Sequence, residues 1–198
     1  MAIKMIIGLA ANTCAGKETV SQCIEKFGFK TIVQSDFLRS VAASQRIEPS
    51  PNQLWELSNT LKRQYRTDAA VIMLNVQQAE AKGYEYIVVD GCRVPAEFEW
   101  IKEQYAYVYT IAIVADEHIR FSRMRKRNRP GDPATLAKLK EMERIQGHHI
   151  EAAIRTADFT IRNNHGLFFL YMQVACVLAV CFMMKFFKQA KTFLYNMI

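Results

Sequence analysis

Near the start of the chain, Gly8-Leu9-Ala10-Ala11-Asn12-Thr13-Cys14-Ala15-Gly16-Lys17-Glu18-Thr19 combines glycine, lysine and hydroxyl at a spacing suited to holding phosphate. In such a loop consecutive backbone N–H groups wrap the β-phosphate, the following helix adds its dipole, and the lysine reaches the β- and γ-phosphates. Asn12, Thr13, Cys14, Ala15, Gly16, Lys17, Glu18 and Thr19 are therefore the candidate nucleotide-binding residues, with Lys17 also acting in catalysis. Gly16, Lys17 and Thr19 fit the pattern. Ala11 and Cys14 stand where it usually has glycine, so both carry a Cβ where the backbone often needs freedom. Glu18 takes the place commonly held by a hydroxyl residue on magnesium; it can help hold Mg²⁺ or repel phosphate. An ordinary helix cap at Gly16-Lys17 is the bland alternative.

Two further clusters carry charge at useful places. Asp90 closes the apolar run Tyr86–Val89, and an acid at the carboxyl edge of a parallel sheet can order the water shell of Mg²⁺. The same Asp90-Gly91 pair also reads as a simple turn. In the basic run from Arg120 to Arg129, the four-residue spacing puts Arg123 and Arg127 on one helix face. A solvated basic face has the same pattern.

The elements that must position these groups follow from periodicity. Residues 3–9 form a short buried strand, and Val20, Cys23, Ile24 and Phe27 give residues 16–27 a helical pattern. A strand near Thr31–Gln34 leads into a helix opened by Ser35 or Asp36. Pro49 and Pro51 start another around Leu54, Leu57 and Leu61, and helical spacing resumes from Asp68 to Lys82, ending at Gly83. Tyr86–Val89 and Tyr107–Val114 read as strands buried on both faces, separated by the helix Pro95–Gln104. A helix over 116–127, a break at 128–133, a helical stretch over 134–156 and a strand at Phe159–Ile161 complete the alternation. This order predicts an α/β, three-layer sandwich around a five-stranded parallel sheet.

The 198 residues fit one such domain, and 51% hydrophobic content with only 13 Gly and Pro residues excludes a disordered or low-complexity chain. The net charge is +7, but the last 32 residues hold Lys185, Lys188 and Lys191 and no acid, leaving +4 for residues 1–166. That balance suits a small anionic ligand, and without a basic stripe interleaved with aromatics no nucleic-acid partner is expected. Five cysteines without a Cys-x-x-Cys pair predict neither a disulfide framework nor a zinc site, hence a reducing compartment. Lys17 and Glu18 follow the first apolar run too soon for a secretory signal. Adjacent His148 and His149 point to different helix faces and read as surface residues.

Ser35-Asp36-Phe37-Leu38-Arg39 resembles the Gly-Asp-x-Leu-Arg segment of adenylate kinases, and Val88-Val89-Asp90-Gly91-Cys92-Arg93 resembles their Asp-Gly-x-Pro-Arg motif, shortened by one residue. With the loop at 8–19, residues 3–166 are similar to the P-loop nucleotide kinases, the group that includes adenylate kinases and dephospho-CoA kinases. The resemblance implies in-line transfer of the γ-phosphate of ATP, with Mg²⁺, to a small nucleotide-type acceptor. It implies Arg39 and Arg93 as clamps on the acceptor's phosphate, a role suited to a planar guanidinium, with Asp36 orienting the acceptor or acting as base. Glu18 and Asp90 are the candidate metal residues. It also implies a lid over residues 123–135 whose Arg123 and Arg127 close over the transferring group, and a loop at Asn163-Asn164-His165-Gly166 holding the adenine. A dephospho-CoA acceptor needs a base such as Asp36, whereas a monophosphate needs the paired arginines, which favours the monophosphate.

The carboxyl-terminal part departs from this pattern. Leu167–Met184 is an 18-residue apolar stretch broken only by Gln173, long enough to cross a bilayer core. Three readings stay open for residues 167–198: a tail anchor leaving the kinase-like domain (residues 1–166) in the cytoplasm, a helix buried in an oligomer or against the domain, and an out-of-frame extension. Apolar residues all round speak against a half-exposed helix. The departures at Ala11, Cys14 and Glu18 keep a second function in view, a nucleotide-binding regulator with little transferase activity.

Overall fold

A computed structural model describes residues 2–129, 132–146 and 148–195. Five strands, β1 (Met5–Ala11), β2 (Lys30–Val33), β3 (Tyr86–Asp90), β4 (Val108–Val114) and β5 (Phe159–Arg162), form one sheet in the order β2-β3-β1-β4-β5. Every pairing is parallel. The chain steps outward from β1 to β2 past the later β3, then returns to place β4 on the other side of β1. A crevice therefore opens at the carboxyl end of β1, where such sheets bind ligands.

Alternation along β1 fixes the layers. Met5, Ile7 and Leu9 face one side and Ile6 and Ala10 the other, all fully buried. On the first side lie α1 (Lys17–Glu25) and a long terminal helix, described below, through Val20, Cys23 and Ile24 with Ile111, Ile113 and Ile161 of the sheet. On the second lie α4 (Ala70–Ala81), α5 (Pro95–Gln104) and α8 (His148–Arg155), with Ile72, Val76, Phe98, Ile101 and Ala153 against Ile87 and Val89. Helices α2 (Gln34–Ser44) and α3 (Pro51–Tyr65) pack with α4 into a smaller cluster of Phe37, Ala42, Leu57, Leu61, Ala70 and Val71 beside the crevice. Ser50 and Gln53 form a capping box ahead of Pro51, so α3 starts where the prolines predict.

Two expectations change. Helix α2 opens at Gln34, after an extended Val33 with no side-chain cap, so neither Ser35 nor Asp36 caps it. The helical stretch expected over 134–156 is seen as α7 (Leu136–Gln146) and α8, either side of residue 147, which lies outside the described residues; α6 (Glu117–Arg127) precedes it. The side chains of His148 and His149 lie outside the described residues, as do Pro130 and Gly131 of the expected lid.

The second change is the terminal stretch. Residues Leu167–Tyr195 form one helix, α9, that lies along α1 and β5. A narrow seam of Leu170, Val174, Leu178 and Cys181 is buried on the sheet, and Phe182 stands against Phe29 and Tyr86. Spacings of four, four and three residues put that seam on one helix face. The opposite face is exposed and apolar, with the lysines and Gln189 confined to the part from Lys185 onward, so α9 is half-exposed. It is also, among the described residues, the one helix long and apolar enough to cross a membrane by length and composition.

Candidate phosphate-binding site

Residues 12–16 turn the chain from β1 into α1. Ala15 N–H donates to the Asn12 carbonyl at 3.1 Å, and Gly16 adopts φ 100° as the N-cap of α1. A Cβ at Gly16 would collide with Asn163 Nδ2, so space as well as backbone angle demands glycine there. Cys14 also lies in the left-handed region at φ 60°, which explains why glycine is usual at its position. Ala11 does not need that freedom: it is the last residue of β1, paired in register with Ile113.

The loop is braced from behind. Arg120 donates from Nη1 to the Thr13 carbonyl at 3.3 Å. Arg123 donates from Nη1 to the carbonyls of Cys14 (3.4 Å) and Ala15 (3.3 Å). Asn163 Nδ2 reaches the Ala15 carbonyl at 2.8 Å. Three successive carbonyls are thus tied to one wall of the site. The backbone N–H groups of Cys14, Gly16, Lys17, Glu18 and Thr19 meet no acceptor among the described residues. Carbonyls held back and N–H groups left open make a concave nest for an anion, at the positive end of α1.

Each brace is itself fixed. Arg120, its side chain 6% exposed, also donates from Nε to the Ala115 carbonyl at 3.0 Å and pairs through both amino groups with Glu143 on α7. Arg123 Nη2 donates to the backbone oxygen of Asn163 at 2.9 Å and to its Oδ1 at 3.2 Å. Asn163 N–H continues the sheet to the Val114 carbonyl at 2.8 Å. Buried arginines satisfied in this way cost little, whereas an orphaned carbonyl costs on the order of 1–3 kcal/mol.

Across the crevice Lys17 Nζ and Asp90 Oδ1 form an ion pair, and Oδ1 meets no other donor among the described residues. Asp90 is there because β3 pairs Asp90 with Leu9 and the chain then turns at Gly91, where φ of 104° calls for glycine although a Cβ would have space beside Lys17 Nζ and Gln34. Burial pulls the Lys17 pKa down, toward about 8, and the Arg93 guanidinium acts the same way. The touching carboxylate opposes both and keeps the proton on the amine. Gln34 Nε2 donates to the Gly91 carbonyl at 3.2 Å. Glu97 Oε2 accepts from the N–H of Arg93 (2.5 Å) and of Val94 (3.1 Å), and burial pushes the Glu97 pKa up. Together they hold the turn that carries Asp90 and Arg93.

The other expected residues sit as follows. Arg93 is exposed at the crevice rim with no acid paired to it among the described residues. Arg39 Nη1 pairs with Asp36 Oδ1 at 2.6 Å and donates to Ser35 Oγ at 3.2 Å, on the exposed first turn of α2. Arg127 pairs with Asp132, at 2.5 Å from Nη2, which holds the Asp132 carboxyl below its usual range. Glu18 is exposed and Thr19 half-buried in the first turn of α1. Cys14 is kept a thiol by burial, which pushes its pKa up. Asn164 Oδ1 accepts from Asp116 N–H at 2.8 Å, so Asn163 and Asn164 both support backbone around the loop. Arg120, Glu97 and Gln34 escaped the sequence reading; the one signal for Arg120 was its place three residues before Arg123 on the same helix face.

Comparison with known proteins bears on the family and the fold. The family described as "AAA domain" matches residues 7–146, which run from β1 through α7. The chain belongs to that family. It is 27% identical over 165 residues to a UPF0200 protein of Hyperthermus butylicus, covering 83% of this chain and 88% of the relative. A UPF0200 protein of Staphylothermus marinus is 34% identical over 128 residues, covering 65% and 66%. Among solved structures, a gluconokinase from Sinorhizobium meliloti 1021 superposes with TM-score 0.57 at 12% identity, covering 95% of this chain and 99% of that one. Shikimate kinase from Acinetobacter baumannii, in complex with shikimate, gives 0.55 at 15%, covering 90% and 93%. These likenesses show the fold: a P-loop protein built as the small-molecule kinases are.

Proposed function

We propose that this chain is a P-loop phosphotransferase that moves the γ-phosphate of ATP to a small nucleotide-type acceptor. The observation that carries the proposal is the nest of open N–H groups at 14–19, facing a crevice whose opposite side holds the Lys17–Asp90 pair. A triphosphate laid in that nest replaces Asp90 as the partner of Lys17, so the amine passes from carboxylate to phosphate without crossing water. The residues fit Mg²⁺: Asp90 is left with a free carboxylate, and Glu18 and Thr19 stand at the loop's end. Among the described residues no three ligating side chains cluster, which suits an ion held mainly by phosphate and water. When bound, the metal would neutralise charge on the transferring group.

On the acceptor side, Arg93 offers an unpaired guanidinium and Arg39 can exchange Asp36 for a phosphate. That arrangement supports a nucleoside monophosphate over dephospho-CoA, because Asp36 is occupied by Arg39 and not aimed at an acceptor hydroxyl. We assign Arg123 to holding the loop, since its contacts run to loop carbonyls and Asn163. Arg127 remains the lid arginine once Asp132 releases it. ATP as donor and five free cysteines support a cytoplasmic setting. The second reading, a nucleotide-binding regulator, is favoured by one feature: Arg39 and Arg127 are each neutralised by an acid of their own chain.

The test is transfer from γ-labelled ATP to a panel of nucleoside monophosphates and dephospho-CoA by the full chain, alongside Lys17→Ala and Arg93→Ala. Transfer to a monophosphate that Lys17→Ala abolishes, and that Arg93→Ala weakens mainly through the acceptor's KM, supports the proposal. ATP binding without transfer to any acceptor establishes the regulator instead.

A further inference from the structure

The polar groups of α9 are turned the unusual way. Gln173, the one polar residue in its first 18, bonds β5: Nε2 donates to the Arg162 carbonyl at 3.0 Å and Oε1 accepts from Arg162 N–H at 3.1 Å. Lys185 Nζ reaches the Tyr86 hydroxyl and lies over the Tyr86 and Tyr107 rings. Lys188 Nζ donates to the Ala106 carbonyl at 2.9 Å. The outward face is left wholly apolar. Phe168 (69% exposed), Met172 (51%), Met183 (57%) and Phe187 (64%) mark a strip running most of the helix's length. Isolated exposed hydrophobes are ordinary, but a continuous strip of this size is not.

We propose that this strip lies flat on a phospholipid surface bearing anionic headgroups, with the domain sitting above it. A helix crossing the bilayer would have to pull Leu170, Val174, Leu178 and Cys181 off the sheet and break the Gln173 bonds, opening the core. A surface helix keeps both. Charge decides between lipid and a second copy of this chain. Residues 167–198 contain three lysines and no acid, so two α9 helices packed together bring no opposite charge to either. Anionic headgroups supply it. The place for them also exists: a cavity of about 440 Å³ opens along the flank of α9, lined by Lys4, Glu85, Tyr107, Lys185 and Gln189 among others, with Lys4 paired to Glu85. Lys185 and Lys188 leave α9 on the domain side of the strip, beside this cavity, so the polar side of an interfacial helix is here provided by helix and domain together.

Flotation of the full chain through a density gradient tests this, with vesicles of phosphatidylcholine alone or with one quarter phosphatidylserine. The chain is expected to float with the anionic vesicles on the order of tenfold more than with the neutral ones. It should be stripped by alkaline carbonate. Phe168→Ser/Met172→Ser/Met183→Ser, at exposed positions, should lose flotation while keeping the wild-type melting temperature. Lys185→Ala/Lys188→Ala should lose the preference for anionic vesicles while still floating weakly. No flotation, equal flotation with both vesicles, or carbonate resistance each overturns the proposal. So does a solution dimer that the triple substitution dissociates in the absence of vesicles.

Discussion

Cys14 sits at φ 60° in the middle of a loop whose next-but-one residue is a glycine at φ 100°. A non-glycine residue in the left-handed region costs roughly 1–2 kcal/mol, partly offset by the greater chain entropy a glycine would lose. Cys14→Gly is therefore expected to stabilise the protein by about 0.5–1 kcal/mol, raising Tm by roughly 2 °C in a calorimetric scan. Unchanged or lower Tm would show that the thiol contributes packing that outweighs strain. Gly16→Ala should do the reverse, because the added methyl meets Asn163 and the loop must move. A loss of ATP affinity of on the order of tenfold or more is expected by titration calorimetry. The sequence displayed Gly16 and Lys17 plainly. It could not display that Cys14 is strained while Ala11 is not, because that depends on where β1 ends.

At the scale of elements, the loop takes its shape from β5 and α6 as much as from its own residues. Arg123 and Asn163 join those elements to the Cys14 and Ala15 carbonyls. Removing Arg123 orphans buried carbonyls, so Arg123→Ala should cost about 2–3 kcal/mol in denaturant unfolding and weaken ATP binding. A lid arginine would behave differently, lowering the transfer rate with ATP affinity intact, and that pattern would refute the bracing role. The helical spacing that put Arg123 and Arg127 on one face was legible. Their destinations were not, since one meets a strand 40 residues later and the other an acid beyond the helix end.

For the molecule as a whole, the parallel sheet and its three layers followed from apolar runs alternating with helices, and five parallel strands appear where those runs predict. The terminal helix was the exception. Its composition is that of a membrane span, yet its seam completes the layer that α1 begins. Burying Leu170, Val174 and Leu178 is worth roughly 1.5–3 kcal/mol each, comparable with the whole net stability of a domain. A chain ending at Gly166 should therefore fail to give a cooperative thermal transition, and Leu178→Ala in the full chain should cost about 3 kcal/mol. A truncated chain melting like the full one would show that α9 is an appendage. Periodicity could not foresee a seam one residue wide, because no polar residues mark its boundaries.

The central claim is that the loop between β1 and α1 encloses the phosphates of ATP. Amide chemical shifts of the full chain, titrated with Mg·ATP, read this directly. The account predicts large, saturable shifts confined to Cys14, Gly16, Lys17, Glu18, Thr19 and the neighbouring Gly91, all lost in Lys17→Ala. Saturable binding that leaves those amides unmoved, or that persists undiminished without the Lys17 amine, would contradict it.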